Sequence, residues 1–566
     1  MSSSRSRMLF RALLVVIGLG LVCLLLLFLL GLLLAPQGSR GGRPVITISP
    51  ETTRLTEPLR PDGYVDYLGA VNAELSQGVT PENNAAVELL YAMGPGSIGS
   101  SIRREYFQRL GIAIPPEQGA YVRPLKDFET IGQPPPPTEE PSENSADEAV
   151  AEATEDADIA DEEVYELAPP DEPKRPSLTD EQTLAQQRPW TPEELPRIAA
   201  WLTANEIPLA HIRAATERPR WYTPMVSADG LLMTVLLPQT QDSREAARLL
   251  LARAMLRLGE GDAEAAWQDL LACHRLGRLV GQGPTMVERL VGYALDNLAG
   301  EGDRALALHG KLPAARLVEM QAELAKLPPI APMADSADAF ERYSFLSTTA
   351  MAARDGPLIV QQLLDQPSGN DNLLVRSLGG LAHTATDWDV PLRMGNEYFD
   401  RLVAAAREPN PQTRAVQLAE LESDLRGARD GVVAAPELTD LFHPREEMGQ
   451  RMGRLLVASF LPGVEGALNA EQRGAALISL TRLAMSLAAY HADHGAYPEQ
   501  LGELAPKYID SVPTDPGSGG AFHYRRTNDG YVLHGVGPNR LDEQGRGASD
   551  QPPGDDLRIS APLETK

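Results

Sequence analysis

Asn539, Asp542, Asp555 and Asp556 fall within eighteen residues of one another, in a stretch rich in glycine and acid. Their hard oxygens suit calcium, which takes six to eight oxygen ligands and draws backbone carbonyls from a loop free to wrap the ion. Asp550 is a further candidate in the same loop. A plain solvated acidic loop has the same composition, and the spacing alone leaves both readings open.

Other constellations are weaker. Gly94-Pro95-Gly96-Ser97-Ile98-Gly99 matches the dinucleotide pattern, but that chemistry needs a strand entering the turn, and Asn83 to Met93 reads as a helix. It is expected to be a helix-terminating loop. His491 and His494 are spaced by three rather than four, no third ligand is apparent, and Gly495 follows, so His494 is expected at a helix C-terminus. No phosphate-loop, HExxH, GxSxG or SxxK pattern occurs, so no catalytic residue is nominated. Two cysteines, Cys23 and Cys273, exclude a disulfide framework and a thiolate zinc site. Cys273 and its neighbour His274 lie in helical patterning and are expected as core filler. A net charge of −27 argues against a nucleic-acid partner.

The elements that position the acidic loop are legible nearby. Leu477, Leu480, Ala484, Leu487 and Tyr490 recur at helical spacing in a helix starting near Asn469 and ending at Gly495. Phe522 and Tyr524 alternate with polar residues, Thr527-Asn528-Asp529-Gly530 signals a hairpin, and Tyr531 to Val536 returns. The Gly/Pro/Asp loop then leads to a short last strand over Leu557 to Ile559.

Upstream, Ala12 to Ala35 is an uncharged apolar run of 24 residues. As a helix it spans about 36 Å, enough for a hydrocarbon core of about 30 Å. Arg5, Arg7 and Arg11 precede it, which predicts an uncleaved signal anchor with a cytoplasmic N-terminus. Pro134 to Pro137 opens a second break, and Glu139 to Glu172 carries 15 acids and no Lys or Arg, over half of the net charge. Such a segment buries too little surface to offset ordering entropy and is expected as a disordered spacer. Helices are expected over Tyr64–Leu75 and Asn84–Met93, with Thr80-Pro81-Glu82 as an entry, and after a cap at Thr191-Pro192-Glu193-Glu194. From Arg244 to Leu279 two apolar faces flank Gly259-Glu260-Gly261-Asp262, an antiparallel helical hairpin resembling a single tetratricopeptide-type repeat, with no second copy.

The chain is therefore read as mainly α. It comprises a single N-terminal transmembrane helix at 12–35, an extracytoplasmic helical region at 45–129, and a disordered acidic Pro-rich linker at 130–180. An α-helical domain of helical hairpins at 181–465 and a small α+β module at 468–560, a long helix plus an antiparallel sheet, complete it.

In that module Ala489-Tyr490, His494-Gly495-x-Tyr497-Pro498, Leu501, Leu504, Pro513-x-Asp515-Pro516, Phe522-x-Tyr524, Asp529-Gly530-Tyr531-x-Leu533, Gly537-Pro538-Asn539 and Gly554-Asp555-Asp556 stand in order. They resemble the globular part of the major pseudopilin of type II secretion systems. The resemblance implies a long helix on a small antiparallel sheet and calcium in the loop before the last strand. Asn539 falls at that family's first acidic ligand position and Asp555 or Asp556 at its acidic pair, while Asp542 and Asp550 have no secure counterpart. The family's leader and the Glu near the start of its spanning helix have no match, and over 400 residues separate the apolar run from the module, so polymerisation is not implied. The whole chain, including Leu59 to Tyr67 and Trp190 to Asp229, resembles large membrane-anchored proteins of unassigned function from planctomycete-type bacteria.

The expectation is an inner-membrane protein whose bulk is extracytoplasmic: a scaffold or binding protein with protein partners in the envelope. The alternatives are an accessory component of a secretion or pilus-like system and an envelope enzyme of unknown reaction.

Overall fold

A computed structural model describes residues 45–129, 176–356, 386–431, 444–460 and 462–562. The apolar run at 12–35 and residues 130–175 of the acidic linker lie outside the described residues. Among the described residues no helix is long and apolar enough to cross a membrane. The chain is mainly helical, with one three-stranded antiparallel sheet near its C-terminal end.

The first helices, α1 (Tyr67–Leu75), α2 (Ala85–Met93) and α3 (Ser100–Leu110), begin where the backbone finds a cap or a break. Asp66 Oδ1 accepts from Gly69 N at 3.0 Å and Asn84 Oδ1 from Ala86 N at 3.1 Å, each satisfying an N–H that the helix leaves free. Thr80-Pro81-Glu82 is thus a turn, and Asn84 is the entry. Gly94, with φ +80°, ends α2 and leads through a 3₁₀ turn into α3, so the glycine pattern joins two helices as expected.

This region does not stand apart from the rest. Asn72 Nδ2 donates to Met225 O at 2.8 Å, and its Oδ1 accepts from Met225 N at 2.9 Å and Tyr222 Oη at 3.2 Å. Asn84 Nδ2 reaches Tyr222 O at 2.9 Å. Two buried amides thereby fasten it to the strap at 221–226, and α2 lies along a later helix, Glu206–Thr216.

The helices α4 (Leu178–Gln187), α5 (Pro196–Ala204) and α6 (Glu206–Thr216) follow. Ser177 and Asp180 form a capping box, so the spacer drawn to 180 gives way to ordered chain by Ser177. Thr191 to Glu194 is a turn rather than a cap: Glu194 N donates to Thr191 O at 3.0 Å, and Pro196 opens the helix.

The centre is α7 (Pro238–Gly259), α8 (Ala263–Val280) and α9 (Met286–His309). Gly261, at φ +85°, makes the expected hairpin turn, Asp262 caps α8, and Thr285 with Glu288 boxes the start of α9. A Cβ on Gly277 would lie 2.9 Å from Asp296 N and from Gly292 O, so glycine lets the two helices approach backbone to backbone. Next come α10 (Ala314–Ala325) and α11 (Met333–Ser336), a π turn at Ala337–Glu341, then α12 (Arg342–Asp355), α13 (Asp389–Ala406), α14 (Pro411–Gly431) and α15 (Pro444–Phe460). Helices α12, α13 and α15 pack around Phe345, Phe399 and Leu456 in a second core.

The long helix α16 (Pro462–His494) carries the sheet of β1 (His523–Arg526), β2 (Tyr531–Gly535) and β3 (Leu557–Ala561), in that order with β2 central. Register runs Tyr524↔Leu533 and Leu533↔Ile559, so strand alternation turns Tyr531, Leu533, Leu557 and Ile559 toward the helix. Leu480, Leu483 and Leu487 of the helix belong to the same core, each buried leucine worth roughly 1.5–3 kcal/mol. The opposite side of α16 rests on α9 and α10: Arg304 Nη1 donates to Thr481 Oγ1 at 2.9 Å and Ser486 Oγ lies 3.1 Å from Gln321 Oε1. One continuous core therefore joins the hairpin array to the C-terminal elements, and α16 starts at 462 rather than near 469.

Candidate cation site

The acidic loop leaves β2 and returns to β3, and a buried carboxylate ties down its start. Asp515 Oδ2 accepts from Val536 N at 3.1 Å and Ser518 Oγ at 2.9 Å, while Oδ1 accepts from Gly517 N at 3.0 Å. The Pro513-x-Asp515-Pro516 motif is thus an anchor. A Cβ on Gly537 would lie 2.2 Å from Asp555 O, so only glycine lets the two limbs of the loop meet there.

Where the limbs meet, Glu543, Asp555 and Asp556 each bring one carboxylate oxygen within 4.8 Å of the others. Calcium–oxygen distances of about 2.3–2.6 Å allow opposed ligands about that far apart. Three oxygens, Glu543 Oε2, Asp555 Oδ1 and Asp556 Oδ1, are buried without a hydrogen-bond partner. Asp556 is 5% exposed, and its other oxygen accepts from Gly545 N at 2.8 Å. Buried acceptors are normally satisfied, so three converging orphans mark a place shaped for a positive group.

Of the four residues nominated, Asp555 and Asp556 come together at this point. Asn539 sits beside them: its N–H donates to Asp555 Oδ2 at 3.0 Å, its Nδ2 donates to Glu543 Oε1, and its own Oδ1 accepts from Leu541 N at 2.6 Å. It therefore orients two of the acids instead of offering an oxygen. Asp542 points the other way. Its Oδ1 accepts from His534 Nε2 at 3.0 Å and from Gln544 N at 2.8 Å. Glu543 takes its place in the cluster because consecutive side chains in this tight loop project to opposite sides, and Gln544 and Gly545 follow at φ +63° and +81°. Asp550 caps the loop internally, accepting from Gly547 N at 2.8 Å.

The carboxyls of Asp556 and Glu543 are shifted in opposite directions. Burial raises the Asp556 carboxyl above its ordinary range. The Asn539 hydrogen bond lowers Glu543, and the His534 hydrogen bond lowers Asp542.

Other buried charges are paired from within. Asp269 is held by Arg253 at 2.6 and 2.8 Å and by Arg257 at 2.6 Å. His274 is not apolar filler. Its Nδ1 lies 2.9 Å from Asp296 and its Nε2 2.9 Å from Asp303, and Arg278 Nε adds a bond to Asp296 at 2.8 Å. Burial alone would lower this imidazole, but Asp303 and Asp296 outweigh it and push it up to about 10. Cys273 is buried, and burial raises its thiol. At the other end of α16, His494 caps the helix as expected, Nδ1 lying 2.9 Å from Tyr490 O.

A cavity of about 300 Å³ opens elsewhere, between Leu232, Val235, Phe340, Leu456 and Phe460. Its one acid, Glu341, accepts from Met286 N at 3.1 Å, and burial raises its carboxyl. Comparison with protein-family models, curated proteins and solved structures finds no match.

Proposed function

We propose that this chain is a membrane-tethered extracytoplasmic scaffold or binding protein whose C-terminal loop takes one calcium ion. The observation that carries the reading is the convergence of three unpartnered, buried carboxylate oxygens from Glu543, Asp555 and Asp556. An all-oxygen donor set with no imidazole or thiolate suits a hard cation, and water and backbone carbonyls complete its shell. The tether rests on the apolar run at 12–35 and its preceding arginines. Cover of α16 on both sides, by the sheet and by α9 and α10, supports a scaffold over a filament subunit, because the stretch of that helix from Ala476 to Ala489 is already packed within the chain.

One experiment reads both parts. Spheroplasts carrying the full chain with a C-terminal tag are treated with external trypsin, and cleavage at Arg540 and Arg546 is timed against cleavage elsewhere in the same digest. Extracytoplasmic calcium sites have dissociation constants of about 0.1–1 mM, so at 1 mM calcium the tighter limit slows loop cleavage about tenfold relative to chelator. A tag that trypsin never releases, until the membrane is broken, refutes the location. Equal loop cleavage in both buffers refutes the calcium site.

A further inference from the structure

Asp542, turned away from the acidic cluster, meets two histidines. His523 on β1 and His534 on β2 are direct cross-strand partners. Alternation sends Tyr524 and Leu533 toward α16 and leaves both imidazoles on the outer face of the sheet. Their rings stack at 4.8 Å, 8° from parallel. Asp542 closes the third side, Oδ1 at 3.0 Å from His534 Nε2 and Oδ2 at 3.6 Å from His523 Nδ1.

We infer that His523, His534 and Asp542 form a second cation site, separate from the acidic cluster, which takes a first-row transition-metal ion such as zinc. Two ring nitrogens and one carboxylate oxygen lie within 4.8 Å of one another. Zinc binds nitrogen at about 2.0–2.1 Å and carboxylate oxygen at about 2.0–2.2 Å, which sets tetrahedral donors about 3.3 Å apart. The His534–Asp542 pair is already that close, and the His523 side chain, 45% exposed, is free to turn its ring inward. The fourth position faces solvent and is open to water or to a donor from a partner. Imidazole is a poor ligand for calcium and a good one for zinc, copper or nickel, so neighbouring sites on one loop select different ions.

The surroundings hold the triad without completing it. Gly545 packs against the His534 ring, where a Cβ would lie 3.3 Å from Nδ1. Arg558, opposite His534 on β3, has its charge drawn toward Asp550 at 3.6 Å. The pair does not serve the apolar core, since its strand face points away from α16.

The test is calorimetric titration of zinc chloride into the full-length chain in detergent, with calcium saturating so that the acidic cluster is not available. One zinc per chain is expected. His523→Ala and His534→Ala each weaken it by at least about 100-fold, the upper end of what loss of a mere outer-shell partner does. His491→Ala and His494→Ala leave it unchanged. Because His523 is exposed, its replacement keeps the thermal midpoint, so lost binding is not lost folding. Full zinc affinity in either cross-strand variant, or zinc binding that follows His491 or His494 instead, overturns the assignment.

Discussion

The helical array and the C-terminal loop both bury carboxylates, and they satisfy them in opposite ways. In the array, Asp269 faces two arginines, and His274 sits between Asp296 and Asp303 with Arg278 alongside. Positive groups come from the same pair or trio of helices, and of the carboxylate oxygens in these two networks Asp303 Oδ1 alone, among the described residues, lacks a partner. In the loop, Glu543, Asp555 and Asp556 converge, and among the described residues no cationic side chain is paired with any of the three. A buried charge without a partner is costly whichever residue carries it. The array therefore closes on itself, and the loop is built to be completed from outside.

The comparison predicts opposite signs for similar substitutions. Asp296→Ala strips His274 and Arg278 of a buried partner and should destabilise the chain by about 3–5 kcal/mol, the usual cost of breaking a buried pair from one side. Denaturant unfolding of the full chain in detergent checks it. A loss under about 1 kcal/mol would mean that His274 deprotonates harmlessly and that the network is not a closed unit.

Some of this contrast is legible in the sequence and some is not. The α7–α8 hairpin, α16 and the β1–β2 turn are legible because apolar residues at Leu249, Leu250, Ala254 and Leu258, or at Leu480, Ala484 and Leu487, repeat at helical spacing, and Asp529-Gly530 marks the turn. The partners of His274 are not, since Asp296 and Asp303 lie 22 and 29 residues away on the next helix. A signal does exist: two acids seven apart on the apolar face of α9. Long-range fastening of the N-terminal helices by Asn72 and Asn84 leaves no local trace, because an amide reads the same wherever it bonds. In the loop, the choice of Glu543 over Asp542 turns on backbone dihedrals after two adjacent acids, which composition does not encode.

A middle-sized effect follows from pH. The folded His274 pKa, about 10, stands well above the roughly 6.5 of an unfolded imidazole, so its contribution is complete below pH about 6.5 and is lost as pH rises through about 10. For Asp296, burial opposes and His274 and Arg278 favour the charged form; the net shift is downward, so its contribution holds above the unfolded carboxylate range, near 4, and fades as pH falls below it. The contribution of this pair should plateau between about pH 4 and 6.5 and decline on the alkaline side by an amount on the order of a few kcal/mol. His274→Gln should flatten that alkaline limb. If wild type and variant decline in parallel from pH 7 to 10, the titrating group is another one.

The smallest effect is the sharpest, because its sign separates the two regions. In chelator, Asp556 Oδ1 lies close to carboxylate oxygens of Glu543 and Asp555, acceptors that face one another. Asp556→Asn removes one of three like charges and supplies an amide N–H₂ at the same position, at nearly the same volume, so it should raise stability by about 1 kcal/mol. In calcium the order reverses. The wild-type loop gains roughly 1.4 kcal/mol at 1 mM calcium for a dissociation constant near 0.1 mM, and the variant, lacking a charged ligand, gains almost nothing. Thermal midpoints of both chains in both buffers give four values, and the prediction is a crossing: variant above wild type in chelator, level or below in calcium. A closed network cannot produce that crossing, since losing an acid there costs stability in either buffer. If Asp556→Asn is destabilising in chelator as well, the loop acids are satisfied from within the chain, the three oxygens are not waiting for a cation, and the two regions obey one rule.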